Sequence, residues 1–393
     1  MINQTMLDLG RAPSPIRQLF NYGLERKKTV GADKVFDFSI GNPSIPAPEA
    51  IRERMRDLIE QDPAALHGYS PASGFLATRA AVARNLRARF GIEADPRHVY
   101  MTTGAMAGVK SVICAVARPG EEVIVNTPYF PEYRMLIETA GCACIEVPTR
   151  VDDFQLDIEA LGEAINPNTA LIIVNSPNNP VGTVYTQDCI ERLAALLESR
   201  EREYGHSIYL LSDEPYRELC YDNEAPFTAS FYRDTIVCYS WAKSLSLPGE
   251  RIGYVFTSSR MEHADDVADA VAGAHRSLGY VCAPVMFQKV IETCIDLPAN
   301  VEAYRRNRDL LTSGLDELGY RYVSSDGAFY LWVKALEEDA QAFSDRAKRH
   351  DLLLVASDSF GCGGWVRVSY CVSEATIRNS MKAWKALKES YGV

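Results

Sequence analysis

The chain has 393 residues, 47% of them hydrophobic and 24% charged, which is long enough for two compact units and reads as globular rather than disordered or fibrous. Its 41 lysines and arginines face 52 aspartates and glutamates, a formal net charge of -11. That balance excludes a general basic face for nucleic acid but leaves room for a local basic pocket around a small anion.

The first residues, Met1 to Asp8, carry neither a basic stretch nor an apolar run, and no segment approaches the roughly 20 apolar residues of a membrane span. A soluble, cytoplasmic protein with no membrane or nucleic-acid partner is expected. The 10 cysteines are scattered, with Cys142 and Cys144 the closest pair, and the 6 histidines show no ligand spacing. Reduced thiols and no metal site follow.

Residues 1–45, with Pro13, Pro15 and the turn-like Gly41-Asn42-Pro43, are predicted to pack against a C-terminal domain rather than to begin the main sheet. Residues 46–290 read as a large α/β domain. Within it, β-rich runs at 99–103, 122–126, 144–147, 170–175, 208–212, 236–240 and 251–257 alternate with helical periodicity at 105–117, 132–140 and 188–204. The fold class expected is α/β, with a mainly parallel seven-stranded sheet covered by helices. After Pro284 a charged helical stretch continues through Leu318 as one long helix. Strand-like 328–333, helical 340–350, strand-like 365–370 and a closing helix then predict a smaller α+β domain over 291–393.

Ligands of open α/β sheets lie beyond the carboxyl ends of the strands, so the residues just past each strand are the informative ones. Gly104-Ala105-Met106 follows the first strand and opens a helix, a geometry that suits a phosphate and equally an ordinary turn. Asp213 follows the run 208–212 with Tyr216 three residues on; a carboxylate there partners a buried cation or caps a helix. Lys243 lies just past the run ending at Ser240, beside Trp241, with Arg251 eight residues later. A partly desolvated lysine near another cation has a lowered pKa and becomes a Schiff-base nucleophile.

The stretch Ser240-Trp241-Ala242-Lys243, followed by Pro248-Gly249-Glu250-Arg251-Ile252-Gly253-Tyr254, resembles the active-lysine signature of the class I/II aminotransferases, aspartate aminotransferase-like enzymes of pyridoxal-phosphate fold type I. Further landmarks of that family occur in order: Gly41-Asn42-Pro43, Gly68-Tyr69 with Gly74, Gly104-Ala105, Pro128-Tyr129-Phe130, Asn175 to Gly182, Asp213-Glu214-Pro215-Tyr216, and Arg367-Val368-Ser369-Tyr370.

The resemblance implies a pyridoxal 5'-phosphate cofactor whose aldehyde is held by Lys243, which also moves the substrate's proton. It implies that Asp213 keeps the cofactor's ring nitrogen protonated, that Asn179 and Tyr216 bond the ring's phenolic oxygen, and that Phe130, rather than Tyr129, stacks on the ring. The phosphate would be received by Ser240, Arg251, the Gly104 turn with the amides of Ala105 and Met106, and Tyr69 of a neighbouring subunit, which makes a homodimer the expected partner state. Arg367, with Gly41 and Asn179, would hold the substrate, its guanidinium forking onto the α-carboxylate.

The activity so implied is transfer of an amino group from an L-amino acid to a 2-oxo acid, usually 2-oxoglutarate, by a ping-pong Schiff-base mechanism. The chain departs from relatives in two places: Ala356-Ser357 stands where many have Pro-Gly, and Met106 where some aspartate-preferring ones have lysine. Aspartate, aromatic and neutral donors therefore all stay open. A carbon–sulfur β-lyase on the same fold is the alternative reading, and a non-catalytic sensor the alternative of another class.

Overall fold

The computed structural model describes residues 2–11 and 14–392; Pro13, named above in the N-terminal segment, and the end residues Met1 and Val393 of the two outer segments lie outside them. In chain order the strands are β1 (Phe36–Asp37), β2 (Val99–Thr102), β3 (Glu122–Thr127), β4 (Ala143–Pro148), β5 (Thr169–Asn175), β6 (Tyr209–Asp213), β7 (Thr235–Ser240), β8 (Gly253–Thr257), β9 (Tyr322–Val323), β10 (Tyr330–Lys334), β11 (Leu352–Leu353), β12 (Val355–Ala356) and β13 (Trp365–Ser369).

Seven of them form one sheet in the order β2-β8-β7-β6-β5-β3-β4. Neighbours from β4 through β7 pair in parallel, while β8 runs antiparallel to both β7 and β2. The sheet expected from the sequence is thus present, each of its seven strands within a few residues of the predicted run. Strands β5 and β7 are buried along their whole length, as a sheet covered on both faces requires. The helices Ala105–Val116 and Ala264–Ser277 pack together over one face, around Val109, Val112, Val267 and Val271; Gln187–Tyr204 covers the other through Ile190, Leu193 and Leu197.

A second sheet, β12-β13-β10-β9, is antiparallel throughout. Its core joins Tyr330, Leu331, Val366 and Val368 to Trp384 and Leu387 of the closing helix Glu374–Glu389. The N-terminal segment contributes β1, paired in parallel with β11, and Arg26 bridges Asp351 at 2.6 Å. One feature of the predicted organisation differs. The expected long helix is two, Val285–Cys294 and Val301–Glu317. Pro298 lies between them and cannot donate a helical hydrogen bond, and Asn300 restarts the chain by accepting from the amide of Ala303 at 3.3 Å.

Candidate active site

Strands β5, β6 and β7 end side by side, and their last residues are Asn175, Asp213 and Ser240. Parallel register brings these carboxyl ends to one edge, and a cavity of about 530 Å³ opens there. Of the residues picked out from the sequence, Asp213, Tyr216, Ser240, Lys243 and Arg251 line it from the central sheet. Ala105, Met106 and Phe130 line it from the helical layer, and Gly41, Asn179 and Arg367 close it from other segments. A larger cavity of about 730 Å³, beside Tyr100 and Arg276, contains none of them.

Lys243 sits in the single turn Trp241–Ser244 that caps β7. Its Nζ donates to the carbonyl of Gly41 at 2.6 Å and lies 5.5 Å from the Phe329 ring centre. Burial lowers its pKa to about 8; Cys371 opposes that shift, and the positive charges of Arg367 and Arg251 add to it. A lysine tuned this way supplies the neutral amine that carbonyl condensation needs.

Asp213 is buried, and its Oδ2 accepts from the hydroxyl of Tyr133 at 2.5 Å. Its Oδ1 has no partner among the described residues. Burial raises the carboxyl to about 7, the Tyr133 bond pulling it down and Glu214 pushing it further up. An unmatched buried oxygen of this kind costs on the order of 1–3 kcal/mol, and a ring N–H carrying positive charge is the donor that would match it.

The opposite end of the cavity is built for an anion. The helix Ala105–Val116 starts after Gly104, whose φ of 87° is a left-handed conformation and whose side chain cannot cap, so the first amides are left for a ligand. A methyl group on Gly104 would come within 2.9 Å of the Arg251 guanidinium carbon; glycine is what lets the cation and the helix end converge. Arg251 is itself left-handed, with φ 53°, and one of its nitrogens donates to the carbonyl of Pro248 at 3.0 Å. Ser240 precedes the Lys243 turn without spending its hydroxyl on a cap.

Arg367 is the most constrained cation in the cavity. Only 1% exposed, it donates through Nη1 to Asn179 Oδ1 at 3.0 Å and through Nη2 to the carbonyl of Ser39 at 2.6 Å. Among the described residues its Nε has no partner and its side-chain hydrogen bonds go only to neutral oxygens, and burial lowers its pKa. The ring of Tyr330 supports it, 4.6 Å from the guanidinium carbon, because the β10–β13 register places Trp332 opposite Arg367 and Tyr330 two residues along the same face. A buried guanidinium held only by neutral groups is poised for an incoming carboxylate.

Several participants escaped the sequence reading. Tyr133 lies within the helix Glu132–Glu138, and nothing marks it as more than a core aromatic. Tyr330, whose hydroxyl bonds that of Tyr216 at 2.9 Å, sits in a run read as an ordinary strand. Ser14 and Arg17, at the start of the helix Pro15–Val30, also line the cavity. Conversely, Tyr69 is 89% exposed and does not line the cavity of its own chain. Tyr129 is turned away, donating to Glu146 at 2.5 Å, whereas Phe130 lines the cavity edge-on to Tyr133 at 5.8 Å.

The family model described as aminotransferase class I and II matches residues 33–383. The aspartate/prephenate aminotransferase of Thermus thermophilus is 30% identical over 354 residues, covering 87% of this chain and 88% of the relative. The aromatic-amino-acid aminotransferase 2 of Thermococcus litoralis is 27% identical over 396 residues, 96% of each chain. Among solved structures, an amino transferase from Eubacterium rectale superposes with a TM-score of 0.97 at 46% identity over 100% of both chains. The Thermus thermophilus aspartate aminotransferase with maleate gives 0.88 at 28% identity, covering 98% of this chain and 99% of the other. With a lysine, a carboxylate and an arginine in these positions on this sheet, and with that match over most of its length, the chain belongs to the class I/II aminotransferases of fold type I.

Proposed function

We propose that this aminotransferase uses pyridoxal 5'-phosphate to move the amino group of an L-amino acid to a 2-oxo acid, with 2-oxoglutarate as acceptor, in a ping-pong sequence. The observation that carries the reading is the pair of unmatched groups in one cavity, Asp213 Oδ1 and Arg367 Nε. One asks for a cationic ring donor and the other for a carboxylate, and the cofactor and an amino acid supply them together.

When bound, the cofactor supplies an electron-withdrawing ring that accepts the electrons released as the substrate's Cα proton leaves. The chain's own residues do the rest. Arg251, Ser240 and the amides that follow Gly104 take the phosphate. Asp213 holds a proton on the ring nitrogen, and Tyr133 fixes the carboxylate's orientation. Asn179 and Tyr216 bond the phenolic oxygen, and Phe130 covers the ring. Lys243, whose pKa burial lowers to about 8 and whose amine now rests on the Gly41 carbonyl, would hold the cofactor's aldehyde and would move the proton at Cα. Arg367, aimed by Asn179, Ser39 and Tyr330, orients the α-carboxylate, with Gly41 beside it.

Tyr69 enters this reading as a phosphate ligand for a second copy, making a homodimer the active unit; its 89% exposure leaves the hydroxyl available to a neighbour. The division at residues 45 and 290, with the first segment seated on the C-terminal domain, belongs to the same reading and is supported by the β1–β11 pairing. So does a cytoplasmic location, supported by ten free cysteines; no helix among the described residues is long and apolar enough to cross a membrane. A donor and acceptor screen on purified holoenzyme, scoring 2-oxo acid and amino acid formed together, tests the activity. Release of thiol and ammonia without amino acid product would give the site to β-elimination instead.

A further inference from the structure

Gln288 lies in the helix Val285–Cys294 and is fully buried, as are its apolar neighbours Phe287, Val290 and Ile291. A leucine would fill that place at no polar cost, so an amide there must find a partner for each of its hydrogen-bonding groups. Oε1 accepts from the amide of Phe75 at 2.9 Å, and Nε2 donates to the carbonyl of Ala283 at 2.8 Å and to Oγ of Ser70 at 3.0 Å. These partners fix which way the amide faces, because the Ser70 hydroxyl spends its own hydrogen on the carbonyl of Pro71 at 3.0 Å and can only accept from Gln288.

All three partners belong to loops or to a helix start. Ser70 follows Tyr69, Phe75 is the N-cap of the helix Leu76–Phe90, and Ala283 ends the loop that joins the helices Ala264–Ser277 and Val285–Cys294. One side chain thus ties together segments 213 and 218 residues apart in sequence. The Tyr69 loop has a further anchor where the amide of Met101 in β2 donates to the carbonyl of Ser73 at 3.0 Å. Gly74, at φ 91°, lets both anchors converge, since a methyl group there would overlap Met101 and approach Oε1 of Gln288 to 2.9 Å.

The segments so tied carry exposed apolar surface. Tyr69 is 89% exposed, Leu76 63% and Val281 57%. Val281 also holds a left-handed backbone, φ 61°, which a β-branched residue adopts only when its surroundings impose it. Neither Tyr69 nor Gln288 lines the cavity of its own chain. Resting on the reading of Tyr69 as a phosphate ligand for a second copy, we infer that Gln288 is a positioning residue that acts in trans: through Ser70, Phe75 and Ala283 it sets the Tyr69 loop of one subunit to serve the cofactor phosphate of the other. Its removal weakens the neighbour's site and spares its own.

The test uses hybrid dimers with one working site, formed from a subunit that has Lys243 and a Lys243→Ala subunit and purified through two different tags. Gln288→Leu is placed either in the subunit that has Lys243 or in its partner, and Tyr69→Phe likewise. Pyridoxal 5'-phosphate is titrated into each hybrid, and borohydride reduction at each concentration counts occupancy of the Lys243 site alone. Tyr69→Phe on the partner should raise the cofactor Kd at least about tenfold, the worth of one hydrogen bond to a charged group. Gln288→Leu on the partner should raise it at least about threefold, since the hydroxyl is misaimed rather than removed, and on the Lys243 subunit should leave it within about twofold. A role in packing alone would move both arrangements alike. Should Gln288→Leu not assemble, Ser70→Ala, which keeps two of the three bonds, is read in the same two arrangements with the same direction expected. Equal effects in the two arrangements, beside a Tyr69→Phe effect confined to the partner, overturn the Gln288 assignment alone. A Tyr69→Phe effect that is absent, or that falls on the Lys243 subunit, overturns the reading of Tyr69 and this inference with it.

Discussion

The hydroxyl of Tyr133 donates to Oδ2 of Asp213 across 2.5 Å, and Oδ1 of the same carboxylate is left without a partner. One oxygen is fixed so that the other is free in a known direction. This is a positioning arrangement: the tyrosine comes from a helix beside the sheet, the carboxylate from the end of its fourth strand in order, and neither serves the core as a pair.

That carboxyl has a folded-state pKa of about 7, raised chiefly by burial, against about 3.9 in an unfolded chain. Between those values the folded apoprotein holds a proton that the unfolded chain has lost, so this group makes stability fall as pH rises. Relative to Asp213→Asn apoprotein, the wild type should therefore lose stability from about pH 4 to about pH 7 and show no trend from this group outside that window. Loading the cofactor, which sets a cation against Oδ1, should abolish the loss. Urea unfolding of both proteins at a series of pH values checks it; a difference that does not vary with pH would mean that Asp213 is ionised throughout.

Replacing Arg367 with alanine removes both the proposed carboxylate fork and the donors that satisfy Asn179 and Ser39. A hydrogen bond to a charged group is worth about 1.5–3 kcal/mol, so kcat/KM should fall at least about tenfold for every amino donor. Cofactor absorbance per subunit should hold, because the phosphate end is separate. Steady-state kinetics beside a cofactor titration would show the two effects apart. Near-normal kcat/KM across donors would place the α-carboxylate elsewhere.

A methyl group at Gly41 would overlap the Tyr330 hydroxyl and approach the Phe329 ring to 3.1 Å. Gly41→Ala should therefore displace the carbonyl that accepts from Lys243 and lower kcat by at least about tenfold. Removing the obstructing oxygen in Gly41→Ala, Tyr330→Phe should recover part of that loss, while Tyr330→Phe alone keeps the ring under Arg367 and costs less than Gly41→Ala. Kinetics of the three variants form the cycle. If the double variant is no better than Gly41→Ala, the collision is not with that hydroxyl.

The elements legible in the sequence were those whose signal is local. Strands β5 and β7 are apolar runs ended by turn residues, and the helices between them keep their period. Lys243, Asp213 and Arg367 stood at strand ends or inside a specific motif. The two-residue strands β9, β11 and β12 were not legible, since so short a run has no alternation to read. Tyr133 and Tyr330 act through partners 80 and 114 residues away, and nothing in their own neighbourhoods distinguishes them from core aromatics.

The central claim is that Lys243 is the cofactor's attachment point. Borohydride reduction of the holoenzyme followed by proteolysis and mass mapping tests it directly. The pyridoxyl phosphate group should be found on the peptide carrying Lys243, and Lys243→Ala protein should retain cofactor through its phosphate contacts, lose nearly all turnover and yield no labelled peptide. A label on another lysine, or wild-type holoenzyme whose Lys243 peptide stays unmodified, would contradict the account.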